Sequence, residues 1–391
     1  MNDSIKKCKC ILIISSDFVY PPNHGGRVDV WNKILCLNSL GFNIDLITTI
    51  KRKPKKEDID IVKSKVNKLM LIYRKNNIKD IFSLKPLQIK SRNQLKYINI
   101  NREYDYLLIE GTYGISILEN KTLKAKKIIL RMHNDEEIYF RQLFDSEKIW
   151  WKKIYYLLET YKFKFIDKKI INKISNIMFI SYEELNKYKH KYPKINAYFL
   201  PSAVNLNFKN ISNDSKNVVF IGSLFMINNK EAINFYIKKI HPLLLDIKGY
   251  TFTIAGNSKG EGVEWIRKLS FKYKNINIID SPETLDDIYE NASVFVNPML
   301  HGAGVKLKTI NAIVNGLPVV STTIGNQGTG LKHGSHIYVT DNVKEYAEYI
   351  KILLNDKVIR ETMVRNSQEF INLYYNQEKI LSKYLDEIGR F

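Results

Sequence analysis

Val294-Phe295-Val296-Asn297, then His301-Gly302-Ala303-Gly304-Val305-Lys306-Leu307-Lys308-Thr309-Ile310-Asn311-Ala312, then Gly316-Leu317-Pro318-Val319-Val320-Ser321 is the stretch whose reading decides the fold. The opening apolar run suits a buried parallel strand. Glycines follow, and a helix is expected over Lys306 to Asn315. Gly316 suits its C-terminal cap, and Pro318 opens another buried strand. Strand, loop, helix and strand in that order make a parallel α/β unit. The helix carries two lysines in its first turn, where cations oppose the helix dipole at a cost of about 0.3–1 kcal/mol. An anion between them removes that cost, so the helix N–H groups with Lys306 or Lys308 suit a diphosphate. The plain alternative is a chance pair in a lysine-rich chain.

The pattern repeats on both sides. Downstream of a break, strands are expected at Val218 to Ile221, Thr251 to Ala255, Ile276 to Ile279, Val294 to Asn297 and Val319 to Ser321. Helices are expected at Asn229 to Leu245, Glu264 to Lys272, Val343 to Asn355 and Val358 to Leu373. Upstream, strands are expected at Ile11 to Ser15, Ile44 to Thr48, Lys68 to Tyr73, Tyr106 to Glu110, Lys127 to Arg131 and Ile177 to Ile180. Lys51 to Lys65 is charged and reads as a mobile excursion. Asn, Ser and Asp crowd the break (Asn205, Asn207, Asn210, Ser212, Asn213, Asp214, Ser215), which marks a linker. The expectation is α/β: two doubly wound parallel-sheet, Rossmann-like domains, 1–203 and 217–373, joined by 204–216. A C-terminal helix over 374–391 is expected to pack back on the first domain. Ligands of such sheets sit outside the carboxyl ends of the strands, so two of them facing across a cleft would carry function in the loops there.

The 391 residues are enough for two domains, and 45% hydrophobic with 26% charged residues is a globular composition. No apolar run reaches the roughly 18 residues that span a bilayer. Met1 to Cys10 lacks the apolar core of a signal peptide, so a cytoplasmic location is expected. Cys8, Cys10 and Cys36 are too few and too irregular for a disulfide framework or a metal site. The net charge of +21 favours an anionic partner, although codon bias toward Lys, Asn and Ile produces the same excess. The charge is spread along the chain without a nucleic-acid-binding motif, so no nucleic-acid partner is expected.

Two further motifs lie at strand ends. Pro21-Pro22-Asn23-His24-Gly25-Gly26-Arg27 follows the first strand and precedes a helix. Its paired glycines allow close backbone approach to an anion at the helix start, or simply make a turn. It is neither a dinucleotide fingerprint nor a P-loop. Arg131-Met132-His133-Asn134-Asp135-Glu136-Glu137 closes another strand. Asn134 suits a helix N-cap with the acids complementing the dipole, which leaves Arg131 and His133 without a structural reason. A histidine there suits hydrogen bonding to a sugar hydroxyl or proton transfer.

In this order the motifs resemble family 4 glycosyltransferases, the retaining GT-B enzymes of bacterial polysaccharide assembly. Pro21 to Gly26 is similar to that family's Pro-Pro-x-x-Gly-Gly loop. Val219 to Leu224 with Asn229 and Ala232 resembles the start of its donor domain, Phe252 to Gly256 its Leu-x-Ile-x-Gly strand, and Gly302 to Ser321 its most specific segment. The resemblance covers most of the chain. It implies a metal-independent hexosyltransferase without cofactor that moves sugar from a UDP- or GDP-sugar to a glycan or lipid-linked acceptor in bacterial cell-surface polysaccharide synthesis. By that resemblance Gly25, Gly26, Gly222, Ser223, Lys230, Gly304, Val305, Lys306 and Leu307 hold the donor diphosphate, and Asn311 meets the donor ribose. His133 and Lys306 are the catalytic candidates, with His24, Arg27, Arg131 and Asn134 on the acceptor side. The family's paired glutamates are replaced by Ala303 and Asn311, and its arginine after the glycine by Ser223. These departures keep two other readings open, a catalytically silent GT-B scaffold and a nucleotide-sugar epimerase.

Trp150, Trp151, Tyr155, Tyr156 and Phe165 interleave with Lys148, Lys152, Lys153, Lys162, Lys164, Lys168 and Lys169. Such a helix suits an anionic membrane surface, and a peripheral position at the inner face of the cell membrane would fit a lipid-linked acceptor. The other reading is an amphipathic core helix with a solvated lysine face.

Overall fold

The computed structural model describes residues 8–22, 25–75, 77–210, 213–302 and 304–390. The chain forms two compact units. One runs to Ala203 and resumes at Gln377, and the other is Val204–Asn376.

The first unit is built on strands β1 (Cys10–Ser15), β2 (Asn43–Ile50), β3 (Lys68–Tyr73), β4 (Glu103–Glu110), β5 (Lys124–Met132), β6 (Asn176–Phe179) and β7 (Asn196–Phe199). They pair in the order β3-β2-β1-β4-β5-β6-β7, all parallel. Continuous apolar runs such as Ile11 to Ile14 and Leu107 to Ile109 are buried because helices cover both faces. Helix α1 (Gly25–Ser39) packs Trp31 and Ile34 with Ile11 and Ile13. Helix α2 (Glu136–Ser146) and helix α3 (Trp150–Ile171) cover the other face, with Phe140, Phe163, Ile166 and Ile170 against Leu12 and Ile14. Ser15 lies beside Glu110 and Glu110 beside Arg131, which brings the carboxyl ends of β1, β4 and β5 level.

The second unit has β8 (Asn217–Ile221), β9 (Thr251–Gly256), β10 (Ile276–Asp280), β11 (Val294–Asn297), β12 (Val319–Ser321) and β13 (Tyr338–Val339). The order is β10-β9-β8-β11-β12-β13, again all parallel. Helix α4 (Leu307–Val314) connects β11 to β12.

Two local expectations are corrected. The charged stretch after β2 is not a plain excursion: Lys56–Lys63 is helical, anchored by buried Val62. The described residues of the asparagine-rich segment have no regular structure, but they are not a loose spacer. Val204, Leu206 and Phe208 pack on the core around Ile310, Ile313 and Leu317, and the Lys209 N–H donates to the Val314 carbonyl at 2.8 Å. The final helix, α5 (Gln377–Arg390), buries Leu381, Leu385 and Ile388 with Ile11 and Ile13.

Candidate active site

In the first unit a cavity of about 180 Å³ opens at the ends of β1, β4 and β5, lined by Ser16, Asp17, Arg27, Glu110, His133 and Glu136 among others. His133 Nε2 lies 3.0 Å from Glu110 Oε2, and Nδ1 lies 3.7 Å from Asp29 Oδ2. With a carboxylate at each nitrogen, the ring is held rather than free to turn. Gly111 lies against the ring, and its φ of +82°, not the space, favours glycine there: a Cβ would meet His133 Cδ2 at 3.4 Å, about van der Waals contact.

Beneath the histidine is a buried ionic network. Lys33 Nζ donates to Glu110 Oε1 at 2.8 Å, Glu110 Oε2 at 3.0 Å and Asp29 Oδ2 at 3.0 Å. Arg131 Nε donates to Asp29 Oδ2 at 3.3 Å, and its Nη1 donates to the Leu200 carbonyl. Gln377 Nε2 donates to Asp29 Oδ1 at 3.2 Å. Burial raises both carboxyl pKa values, but Lys33 outweighs it together with His133, and Arg131 adds to the effect on Asp29. Both groups are therefore held below the ordinary carboxylate range. Asp29, Glu110 and His133 each offer a ligand atom within 4.8 Å of one another, the one such trio among the described residues. Lys33 already engages both Glu110 oxygens and Asp29, so the donor set is charge-balanced and does not fit a divalent ion.

Glu136 is the other carboxyl of this cavity. Burial pushes it up to about 7, although the Tyr113 hydroxyl donates to it at 2.6 Å.

In the second unit the ends of β8 and β11 meet the start of α4. The N-cap residue of this helix is Lys306 itself, and no side-chain cap bond forms there among the described residues. Lys306 Nζ donates to the carbonyls of Gly302 at 2.9 Å and Gly304 at 3.0 Å. Lys308 Nζ donates to Asn229 Oδ1 at 2.6 Å and stands 4.6 Å over the Phe220 ring. Gly222 admits it: a Cβ there would lie 3.1 Å from Lys308 Nζ and 3.0 Å from Asn229 Nδ2. Burial pushes Lys306 down to about 8. Burial, and then the neighbouring Lys306 charge, push Lys308 down to about 7. Two desolvated ammonium groups at a helix start are arranged to receive negative charge.

Residues 215–356 match the family described as Glycosyl transferases group 1. A Klebsiella pneumoniae protein, described as an uncharacterized 44.6 kDa protein in the cps region, is 36% identical over 398 residues, 96% of this chain and 99% of its own. The chain belongs to the group 1 glycosyl transferases. Among solved structures, TarM superposes with a TM-score of 0.71 at 12% identity, covering 98% of this chain and 99% of TarM. Anabaena HepE in complex with UDP and glucose gives 0.62 at 10%, covering 98% and 100%. The lipopolysaccharide outer core galactosyltransferase WaaB gives 0.59 at 13%, covering 96% and 99%. At such low identity the agreement concerns the fold, which is GT-B.

For this group 1 glycosyl transferase the sequence reading and the geometry differ in detail. His133, Arg27, Asn134 and Gly26 share the first-unit cavity. Arg131 does not present itself to an acceptor: it is wholly buried and holds Asp29. The α2 cap is Asp135, whose Oδ1 accepts from the Ile138 N–H at 3.1 Å, and not Asn134. Lys230 turns to Glu261 at 2.9 Å, and the place beside Gly222 belongs to Lys308. The Ser223 carbonyl accepts from Asn229 Nδ2 at 2.9 Å, joining that residue to the lysine cluster. Asn311 is exposed on α4. His24 and Ala303 lie outside the described residues. Glu110, Asp29 and Lys33 were missed. Their one signal was polar residues inside runs that otherwise read as buried.

Proposed function

We propose that the protein transfers a hexosyl group, with retention and without metal, from a UDP- or GDP-sugar to a glycan or lipid-linked acceptor in bacterial cell-surface polysaccharide synthesis. The observation that carries this is the Lys306–Lys308 pair at the start of α4. Those ammonium groups and the helix N–H groups would bind the donor diphosphate and stabilise it as it leaves. Gly222, Ser223, Gly304, Val305 and Leu307 would line its path, Asn311 would accept from the ribose, and Gly25 and Gly26 would approach the phosphates. His133, steadied by Glu110, would hydrogen-bond the transferred sugar. The cps-region relative supports the polysaccharide context, and the HepE complex with UDP supports a uridine donor.

Thermal unfolding with UDP- and GDP-sugars in metal-free buffer tests this, since a ligand of the native state raises its melting temperature. One donor class is expected to do so, and Lys308→Gln is expected to remove the effect. Stabilisation without sugar transfer to any acceptor would leave a silent scaffold. Conversion of donor to another sugar nucleotide without acceptor would make the protein an epimerase.

We also propose a peripheral cytoplasmic position on an anionic membrane. No helix among the described residues is long and apolar enough to cross one. Helix α3 has a buried face, yet Trp151, Ile154, Leu158, Tyr161 and Phe165 form a second apolar stripe at alternating spacings of three and four, each more than two-fifths exposed. Lys164, Lys168 and Lys169 flank it on the surface. Flotation with phosphatidylglycerol vesicles is expected to carry the protein up, and Trp151→Ser with Phe165→Ser to leave it behind. Equal flotation of both would remove this reading.

A further inference from the structure

A second cavity of the first unit, about 560 Å³, opens beside the histidine pocket at the ends of β1, β2 and β3. The two share Asp17 and Arg27. Its walls include Arg27, Lys51, Arg52, Lys53 and Arg74, against the carboxylates Asp17 and Asp58. The basic residues are of two kinds. Lys51, Arg52 and Lys53 are exposed at the turn after β2. Arg74 is built in. Its side chain is 8% exposed, Nη2 donates to Asp17 Oδ1 at 3.2 Å and to the Ser16 carbonyl, and its buried Nε has no hydrogen-bond partner.

Asp17 is shared, since Arg27 Nη2 reaches its Oδ2 at 3.0 Å. Behind it the buried Arg92 guanidinium donates to Ser16 and Gln88 carbonyls and to Thr49 Oγ1, feeling the Asp17 charge but with no carboxylate among its described hydrogen-bond partners. Burial, and then the Arg74 charge, push Arg92 down to about 9. Guanidinium groups thus crowd one carboxylate at the floor while the rim adds further cations. Burying cations without matching anions is costly, and an oxyanion entering from solvent would meet fork-shaped donors suited to it.

We propose that this cavity seats an anionic group of the acceptor, a phosphate or a carboxylate, next to the hydroxyl presented at His133. This rests on the reading of the first unit as the acceptor side. It narrows the acceptor class: neutral glycans lack the group the cavity is charged to hold. A phosphate of a lipid-linked carrier and a uronic acid of the growing glycan share the required chemistry.

Calorimetric titration of the full chain separates the sources. UDP is added to saturation first, so that the α4 lysines are occupied, and inorganic pyrophosphate, glucuronate or glucose is titrated in. Pyrophosphate or glucuronate is expected to bind at one site per chain, and glucose is not. Arg52→Gln with Lys53→Gln is expected to weaken that binding at least tenfold, both residues being exposed and remote from the core. Lys268→Gln with Lys357→Gln, an equal charge change on the exposed surface of the second unit, is expected to leave it unchanged. Pyrophosphate alone would indicate a phosphate-bearing acceptor, and glucuronate alone a uronic-acid glycan. Binding of neither anion, or equal weakening by both double variants, overturns the proposal. Failure of UDP to bind counts against the donor reading instead, and the same variants then test the cavity without it.

Discussion

At the scale of single residues, the polar groups under His133 are arranged for balance more than for stability. Buried ion pairs gain little over apolar packing, but removing one partner strands the other. Lys33 is the partner shared by Asp29 and Glu110. Lys33→Met is expected to cost about 3–5 kcal/mol in urea unfolding at neutral pH. The pH dependence identifies the cause. Both carboxyls sit below their ordinary range in the folded protein, so their contribution is present above the unfolded values of about 3.8 and 4.5 and fades as pH falls through the folded ones. The variant loses that contribution, so its deficit against wild type is expected to shrink in acid. A deficit that stayed constant from pH 7 down to about pH 2.5, below both unfolded values, would contradict this account. Of this network only Arg131 stood out in the sequence, and not for its role beneath His133. Glu110 and Lys33 are 77 positions apart, and only the β1-β4-β5 order brings them together. His133 was legible because a polar cluster at a strand end has few structural reasons to exist.

At the scale of elements, legibility followed burial. The central parallel strands are covered on both faces, so each reads as an unbroken apolar run, and they formed where expected. Strands β7 and β13 were missed because they are edge strands of four and two residues, too short to carry a pattern. The start of α4 was legible as a helix boundary with misplaced charge, but choosing between its lysines needed the depth of the fold around Gly222. That depth has a consequence. Lys308, pushed down to about 7 by burial, must be protonated to hold a diphosphate. Donor affinity is therefore expected to fall as pH rises from 7 to 9, with proton uptake on binding, measurable by calorimetry in buffers of different ionisation enthalpy. An NDP-sugar is the suitable probe because its diphosphate does not titrate in that range. Lys308→Met is expected to abolish binding while raising the ligand-free melting temperature by about 2–4 °C, since an apolar side chain carries no desolvated charge. A pH-independent affinity would mean that Lys308 stays outside the donor site.

At the scale of the whole molecule, the chain leaves its first unit at Ala203, builds the second, and returns at Gln377. The return completes a core. Leu381, Leu385 and Ile388 are each at most 2% exposed and pack with Ile11 and Ile13 of β1, and the Tyr106 hydroxyl donates to the Leu385 carbonyl at 2.9 Å. Helix α5 also places Gln377 on Asp29, so the element that closes the core touches the network under His133. Leu385→Ala removes buried methyl groups and leaves a cavity, which is expected to cost the first unit about 2–5 kcal/mol. A two-unit chain need not unfold in one step. The loss is expected in the transition of the first unit, followed through Trp31 on α1, while a transition raised by NDP-sugar and assigned to the second unit stays in place. If instead both shifted together, the units would unfold as one cooperative body, and α5 would serve the stability of the second unit as well as its own.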